Sequence, residues 1–528
     1  MTLSDVAPFV NEPFTDFSDP QQASAMRQAL ETVRGQLGRS YPLVIGGTHI
    51  STAETLASYN PANKTQVVGM AASATQEHAR MAIEAATVAF ESWRKVPASE
   101  RVAFVLRAAD LIRARKLEFE AWVVYESSKS WAEADGDVAE AIDFLVFYAR
   151  EMQRLDGPQP NNALPGERDE FVYIPLGVGI AIPPWNFPLA IMAGMTMAAV
   201  VTGNTVVLKP SPRTPVIAAK FAEVLEEIGL PAGVVNMITG QDAVLGDYLV
   251  DSPNTRFISF TGSKEIGLRI FERAARRQHQ QKWLKRTVLE MGGKDTLIVD
   301  ETADIDAAAE AVVASAFGFQ GQKCSACSRV VAVASVYDAL LEKSVALART
   351  LSIGDPVQAE TMLGAVIDER SVDKIRHYLA IGKHEGRLAL GGEINDSTGF
   401  FVQPTIFADI APDAQLSQEE VFGPVAAFIK ARNFDEALEI ANNTEYGLTG
   451  GLFSNDPARL ARAREDFHVG NLYFNRKITG AMVGAHPFGG FNMSGTDSKA
   501  GGRDYLLHFL QGKSIAEKLT PGTGPSGE

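Results

Sequence analysis

The sequence predicts an α/β protein with a mainly parallel sheet, followed by a second α/β series. Three observations carry this. Between residues 178 and 290, short apolar runs alternate with stretches of helical periodicity. The chain has 528 residues, too many for one simple core and enough for two or three domains. Apolar residues make up 46% of it, so a large buried core is available.

Taken in order, the first forty residues are polar and irregular, with Pro8, Pro13 and Pro20, and residues 21–35 read as one helix. Ala79, Ile83, Ala86, Phe90 and Trp93 fall at helical spacing, so 75–93 is an amphipathic helix. A second long helical stretch is expected over 99–127. Then the pattern changes. Residues 178–182 form a short apolar strand. The run 189–201 is apolar apart from Thr196 and glycine, too short to cross a bilayer, and ends at the turn signal Gly203-Asn204. A buried helix leading into a strand at 206–208 is the expectation. A helix over 215–228 is closed by Gly229, with Pro231 just beyond. Strands follow at 234–238 and 257–260. Strands alternating with helices of this length imply parallel pairing through right-handed crossovers. Residues 297–299 and 329–333 open the second series, which puts a domain boundary near Gly292-Gly293. No internal repeat is present. The stretch 521–528 is low in complexity and is expected to be disordered.

Charge and cysteine usage exclude several classes. The formal net charge is −15, which repels phosphate backbones and anionic membrane surfaces, so neither nucleic acid nor membrane is an expected partner. Residues 1–12 have no basic and apolar regions of the signal-peptide kind. There are 2 cysteines, Cys324 and Cys327, too few for a disulfide-stapled secreted protein of this size. A cytoplasmic protein with both thiols reduced is expected.

Four short elements carry chemistry. Cys324-Ser-Ala-Cys327 is formally a C-x-x-C, readable as a redox dithiol, as half a zinc site, or as two structural thiols. A zinc site needs two further ligands, and the 8 histidines show no ligand-like pair, so no metal is expected. The preceding Phe319-Gln-Gly-Gln-Lys323 places a glycine and polar groups before the thiol. Lys323 and backbone N–H groups are expected to lower its pKa, which a nucleophile needs. Leu289-Glu290-Met-Gly-Gly293 sets a carboxylate after a strand and before two glycines. It reads as a solvated surface residue or as a general base with room for water and substrate beside it. Ile182-Pro-Pro-Trp-Asn186-Phe-Pro188 is a stiff loop that can present the Asn186 amide to an oxyanion, or use it as a helix cap. Phe260-Thr-Gly262-Ser263 follows a strand and opens a helix, where phosphates bind well, although it matches no dinucleotide fingerprint or P-loop.

Together and in this order these elements resemble the aldehyde dehydrogenase superfamily, over about residues 41–519. The matching stretches are Pro184-Trp-Asn-Phe-Pro188, Leu208-Lys209-Pro210, Phe260-Thr-Gly-Ser263, Glu290-Met-Gly-Gly293, Gly321-Gln-Lys-Cys324 and Glu419-Glu-Val-Phe-Gly-Pro424. Within it the chain is most similar to the single-function 1-pyrroline-5-carboxylate (glutamate γ-semialdehyde) dehydrogenases. That likeness rests on Gln322-Lys-Cys-Ser-Ala326, Val138-Ala-Glu140-Ala-Ile-Asp-Phe144, Thr479-Gly480-Ala481-Met-Val-Gly484 leading into Pro487-Phe488-Gly-Gly490, and Ser494-Gly-Thr-Asp-Ser-Lys-Ala-Gly-Gly502.

The resemblance implies a Rossmann-type cofactor domain over 1–152 and 174–293, a catalytic domain over 294–480, and a small β oligomerisation flap over 153–173 and 496–520. A homodimer at least is implied. It implies that Cys324 attacks the aldehyde, that Asn186 and the Cys324 N–H hold the oxyanion, and that Glu290 activates water. NAD is the implied cofactor, with Pro184, Trp185, Lys209, Gly262, Ser263, Glu420 and Phe422 around it. Lys209 matches the lysine that contacts the adenosine ribose. Three residues later, where many NAD-specific relatives carry a glutamate that rejects a 2′-phosphate, this chain has Pro212 followed by Arg213, so NADP stays open. The implied substrate is the semialdehyde, its carboxylate on Ser325, Gly480 and Ala481, its chain between Phe187 and Phe488, with Glu140 close by. Competing readings are a dehydrogenase for another aldehyde, a structural protein on the same fold, and a thiol-disulfide oxidoreductase. Retention of Cys324, Glu290 and Asn186 counts against the second, and dispensability of Cys327 would count against the third.

Overall fold

The computed structural model describes residues 8–519; the stretch 521–528 lies outside them. Most elements fall where the periodicity places them. The first helix, Pro20–Arg34, starts behind Asp19, whose side chain accepts the Gln21 N–H, and has proline in its first turn. Gln76–Trp93 begins with a capping box between Thr75 and His78. Pro215–Glu227 ends where Gly229 takes φ +72°, a left-handed stop.

The long helix expected over 99–127 is two helices, Ala98–Ala114 and Lys116–Ser127. The break is at Arg115 (φ −110°, ψ 22°), whose guanidinium is held by Glu118 at 3.0 Å. Redirection lets residues 119–127 be buried without exception, against Pro20–Arg34 on one side and Trp131–Leu155 on the other. Helical periodicity runs through the joint, so tertiary packing alone decides the break.

Two seven-stranded sheets organise the molecule. In the first, five parallel strands run in the spatial order Arg286–Glu290, Phe257–Thr261, Val178–Ile182, Thr205–Leu208, Val235–Met237, and the antiparallel pair Leu43–Ile45 and Thr48–Ile50 extends it. The parallel part begins at Val178–Ile182, moves outward one way to Val235–Met237, then crosses back to Phe257–Thr261 on the other side. The crevice beyond the carboxyl ends at such a switch point is where open α/β sheets bind ligands. In the second sheet Asp295–Val299 and Cys327–Val333 are central, both almost wholly buried, as strands covered on two faces by helices must be. A separate antiparallel sheet pairs Leu510–Lys518 with Glu167–Pro175 in register from Leu510↔Pro175 to Lys518↔Glu167, with Pro158–Gln159 beyond.

Candidate active site

The thiol is presented by a loop that the backbone alone does not favour. After the helix Ile305–Phe317, Phe319, Gln320 and Gly321 take φ of 48°, 55° and 66° in succession. Left-handed geometry at two non-glycine residues costs energy and persists only where surroundings enforce it. Here buried amides do so. Gln320 Nε2 donates to Ser128 O at 3.1 Å and Ala365 O at 2.8 Å, and the Ile367 N–H donates to Gln322 Oε1 at 2.9 Å. Gly321 is required, because a Cβ there would lie 2.3 Å from Gly423 O. The fourth tie is Asn186 Nδ2, which donates to Gln322 O at 2.9 Å. Asn186 is buried and is not a helix cap. The next helix, Ala190–Val201, is capped from elsewhere, its first N–H going to Asp137 Oδ1 at 2.9 Å. Asn186 thus contacts the backbone two residues before Cys324, with a second amide hydrogen to offer.

The expectation that Lys323 lowers the thiol pKa is not met. Its ammonium is 2.7 Å from the Glu133 carboxylate. Loss of water and the charges of Asp295, Glu290 and Glu420 push the Cys324 thiol well up, opposed by a backbone bond from Ser325. Both thiols are free, and Cys327 is buried, donating to Arg329 O at 3.4 Å.

Glu290 ends the strand Arg286–Glu290 and is no surface residue. Burial raises its pKa to about 8, against a Ser498 hydroxyl that donates to Oε1 at 2.5 Å and the charge of Lys499. Its Oε2 is buried and has no partner among the described residues. The neighbouring glycines also admit another side chain. A Cβ on Gly292 would lie 2.4 Å from the Glu420 carboxylate, and Gly293 N–H donates to Glu420 Oε1 at 3.1 Å. They admit Glu420, which lies 127 positions beyond Gly293 in the sequence.

The other expected cofactor residues gather at the carboxyl ends of the first sheet. Lys209 follows Thr205–Leu208, is 1% exposed, pairs with the open Asp242, and has its pKa lowered to about 7 by burial. Gly262 and Ser263 lie between the strand Phe257–Thr261 and the helix Lys264–Ala275, where Ser263 is the N-cap and accepts the Ile266 N–H at 3.4 Å. Pro184 and Trp185 precede Asn186. The Trp185 ring meets Phe422 edge-on at 5.6 Å and Phe319 at 6.5 Å, which joins this loop to the thiol loop. Arg213, near the position that bears on NADP, donates to Asp368 at 2.6 Å and lies 5.6 Å from the Trp185 ring.

The expected substrate residues share one cavity of about 430 Å³ with the reacting groups. Cys324 and Glu290 line it together with Phe187, Ser325, Gly480, Ala481, Phe488 and Glu140. Gly480 has φ +75°, and among the described residues neither the Gly480 nor the Ala481 N–H has a protein acceptor. Two free amides in such a turn form an anion-binding concavity. Glu140 is on the helix Trp131–Leu155, and burial with the charges of Asp137 and Asp143 raises its pKa to about 8.

Three contributors went unseen in the sequence. Ser498 positions Glu290. Lys129 and Asp137, fully buried and 3.2 Å apart, sit with the ammonium 3.9 Å from the Phe187 ring. Glu133 engages Lys323. The available signal was the acidic series Glu133, Asp137, Glu140 at helical spacing within an apolar stretch.

Comparison with known proteins gives a consistent result. The model of the aldehyde dehydrogenase family matches residues 49–515. A 1-pyrroline-5-carboxylate dehydrogenase of Anoxybacillus flavithermus is 58% identical over 512 residues, covering 97% of this chain and 99% of the relative. The crystal structure of a 1-pyrroline-5-carboxylate dehydrogenase from Thermus with bound NAD has a TM-score of 0.96 at 49% identity, over 97% of this chain and all of that one. A betaine aldehyde dehydrogenase from Staphylococcus aureus in complex with NAD+ has a TM-score of 0.88 at 29% identity, over 95% of this chain and 99% of its own.

Proposed function

The chain belongs to the aldehyde dehydrogenase family, and from that premise we propose that it oxidises L-glutamate γ-semialdehyde, the open form of 1-pyrroline-5-carboxylate, to L-glutamate with NAD. The observation that carries this reading is the single cavity with Cys324 and Glu290 on its wall together with Ser325 and the free amides of Gly480 and Ala481.

The donor set fits a dinucleotide. Lys209 is buried, and its one ion-pair partner among the described residues is 68% exposed in its side chain, while Glu420 is a half-buried carboxylate held by one N–H. Ribose hydroxyls suit both, and the helix start at Ser263 suits a pyrophosphate. Arg213 is engaged by Asp368, which favours NAD over NADP. When bound, the nicotinamide supplies the hydride acceptor.

The chain's residues then do the following. The Ser325, Gly480 and Ala481 groups hold the substrate carboxylate, and Phe187 and Phe488 pack on its carbon chain. The Cys324 thiol loses its proton to solvent water, and the resulting thiolate sulfur attacks the aldehyde carbon. The Asn186 amide and the Cys324 N–H receive the developing oxyanion. After oxidation to the thioester, Glu290 takes a proton from water, which attacks the acyl carbon and releases the acid and the free thiol. A carboxylate with pKa near 8 is a stronger base than an exposed one, because burial favours its protonated form.

In this reading the cofactor domain comprises 1–152 and 174–293, the catalytic domain 294–480, and the flap 153–173 and 496–520. The strand Leu510–Lys518, exposed from Gly512 onward and at the edge of its sheet, supports a homodimer at least, since such edges invite pairing. Sedimentation of the purified protein tests it. Among the described residues no helix is long and apolar enough to cross a membrane, and the two unpaired cysteines support a cytoplasmic site of action.

The test of function is NADH formation with pyrroline-5-carboxylate, succinate semialdehyde and butanal as rivals. Preference for pyrroline-5-carboxylate is expected. Preference for a rival would leave the chemistry standing and overturn the substrate.

A further inference from the structure

We infer that Asn11 is a positioning residue for the carboxylate-holding loop, so that the arm before the first helix sets selectivity for carboxylate-bearing aldehydes; this rests on the substrate reading above. The arm crosses more than a hundred positions of sequence to reach the site. Asn11 Nδ2 donates to Asp143 Oδ2 at 2.7 Å and to Val483 O at 3.0 Å. Asp143 is on the helix Trp131–Leu155 that also carries Glu140. Val483 follows Gly480 and Ala481 by three and two residues and lines the same cavity. One amide therefore ties the wall helix to the anchor loop.

The tie is itself fixed. Glu12 N–H donates to Asp143 Oδ1 at 2.7 Å, and the Glu12 carboxylate is 2.8 Å from Arg113. The Phe9 ring meets Phe147 edge-on at 5.2 Å and fills the space beside Gly484, where a Cβ would lie 3.0 Å from it. Further along, Thr15 donates twice to Asp135, and Lys116 reaches both Asp135 and Pro13 O. Phe14 and Thr15 line the cavity directly. Without the Asn11 amide, the Val483 carbonyl loses its only side-chain donor among the described residues and the turn carrying the two free N–H groups is held less firmly, while the thiol loop, tied by Gln320, Gln322 and Asn186, is untouched.

The test compares the wild type, Asn11→Ala and Asn11→Asp, the last keeping shape while removing the donor. KM and kcat are measured with pyrroline-5-carboxylate and with butanal, which has no carboxylate to anchor. The expected result is a KM for pyrroline-5-carboxylate raised about tenfold in both variants, with its kcat and the kcat/KM for butanal changed less than about twofold. Equal losses on both aldehydes would assign the arm a merely structural role and overturn the inference, as would variants that keep the wild-type preference. A wild type with no preference for pyrroline-5-carboxylate over butanal would overturn the substrate reading and the inference together.

Discussion

The two sides of the reaction centre are built differently. Most of the cofactor side comes from short loops at the carboxyl ends of neighbouring parallel strands, Pro184 to Asn186 after one, Lys209 after the next, Gly262 and Ser263 after a third, with Glu420 and Phe422 added from far along the chain. Each of these loops is a local motif, placed by its own strand. The substrate side draws Glu140, Phe187, Ser325 and the segment with Gly480 and Phe488 from four separate stretches, and Asn11 ties two of them through part-buried side-chain bonds. A side made of local motifs tolerates change in its connections, whereas a side made of long-range ties does not. Cys324 and Glu290 stand where the two meet.

The comparison can be broken or sharpened by substitution. Cys324→Ala should have the largest effect, a fall in kcat on the order of 10⁴-fold or more with both sides folded, measured as NADH production alongside thermal unfolding. Activity surviving in that variant would remove the thiol from the mechanism. Glu290→Gln should slow steady turnover about 10²- to 10³-fold yet leave a burst of about one NADH per site, because oxidation to the thioester precedes the step that needs the base. Absence of the burst would place Glu290 in the earlier step. Gly480→Val should raise KM for pyrroline-5-carboxylate about tenfold or more, since φ +75° strains any β-branched residue there, while binding of NAD, read by fluorescence quenching, stays within about twofold. A matched loss of NAD binding would show that the two sides are not separable.

A pH profile sharpens the picture at lower cost in rate. Glu290 works as a base only when ionised, and its pKa is raised to about 8, so turnover should climb as pH rises through that value and level off above it. Glu290→Gln should abolish that limb. The same shift has a stability consequence. The folded carboxyl holds its proton above the ordinary value of 4.5, so its contribution to stability declines as pH rises from there toward about 8. The unfolding temperature of Glu290→Gln should fall less over that range. The smallest effect belongs to Cys327→Ser, with kcat kept within about twofold, since Cys327 is buried with its thiol on Arg329 O. Abolished activity there would revive a dithiol mechanism.

The sequence by itself determined the α/β class and most strand and helix positions in the first sheet, and it named Cys324, Glu290 and Asn186 as candidate nucleophile, base and amide, because those depend on hydrophobic period, turn residues and motifs whose partners lie within a few residues. It missed the break at Arg115, where only packing of the buried 119–127 face ends the periodicity. It misjudged Lys323, whose charge is held by Glu133, and did not show that the glycines after Glu290 make room for Glu420. It did not see Ser498 against Glu290, the Lys129–Asp137 pair beneath Phe187, or Asn11 against Val483. Each of these is a contact between residues far apart in the chain. Local propensity carries no information about which distant side chain will fill a buried hydrogen bond or balance a buried charge. Only the folded arrangement of two sheets and one long helix decides that, and with it the pKa values that separate a reactive group from a structural one.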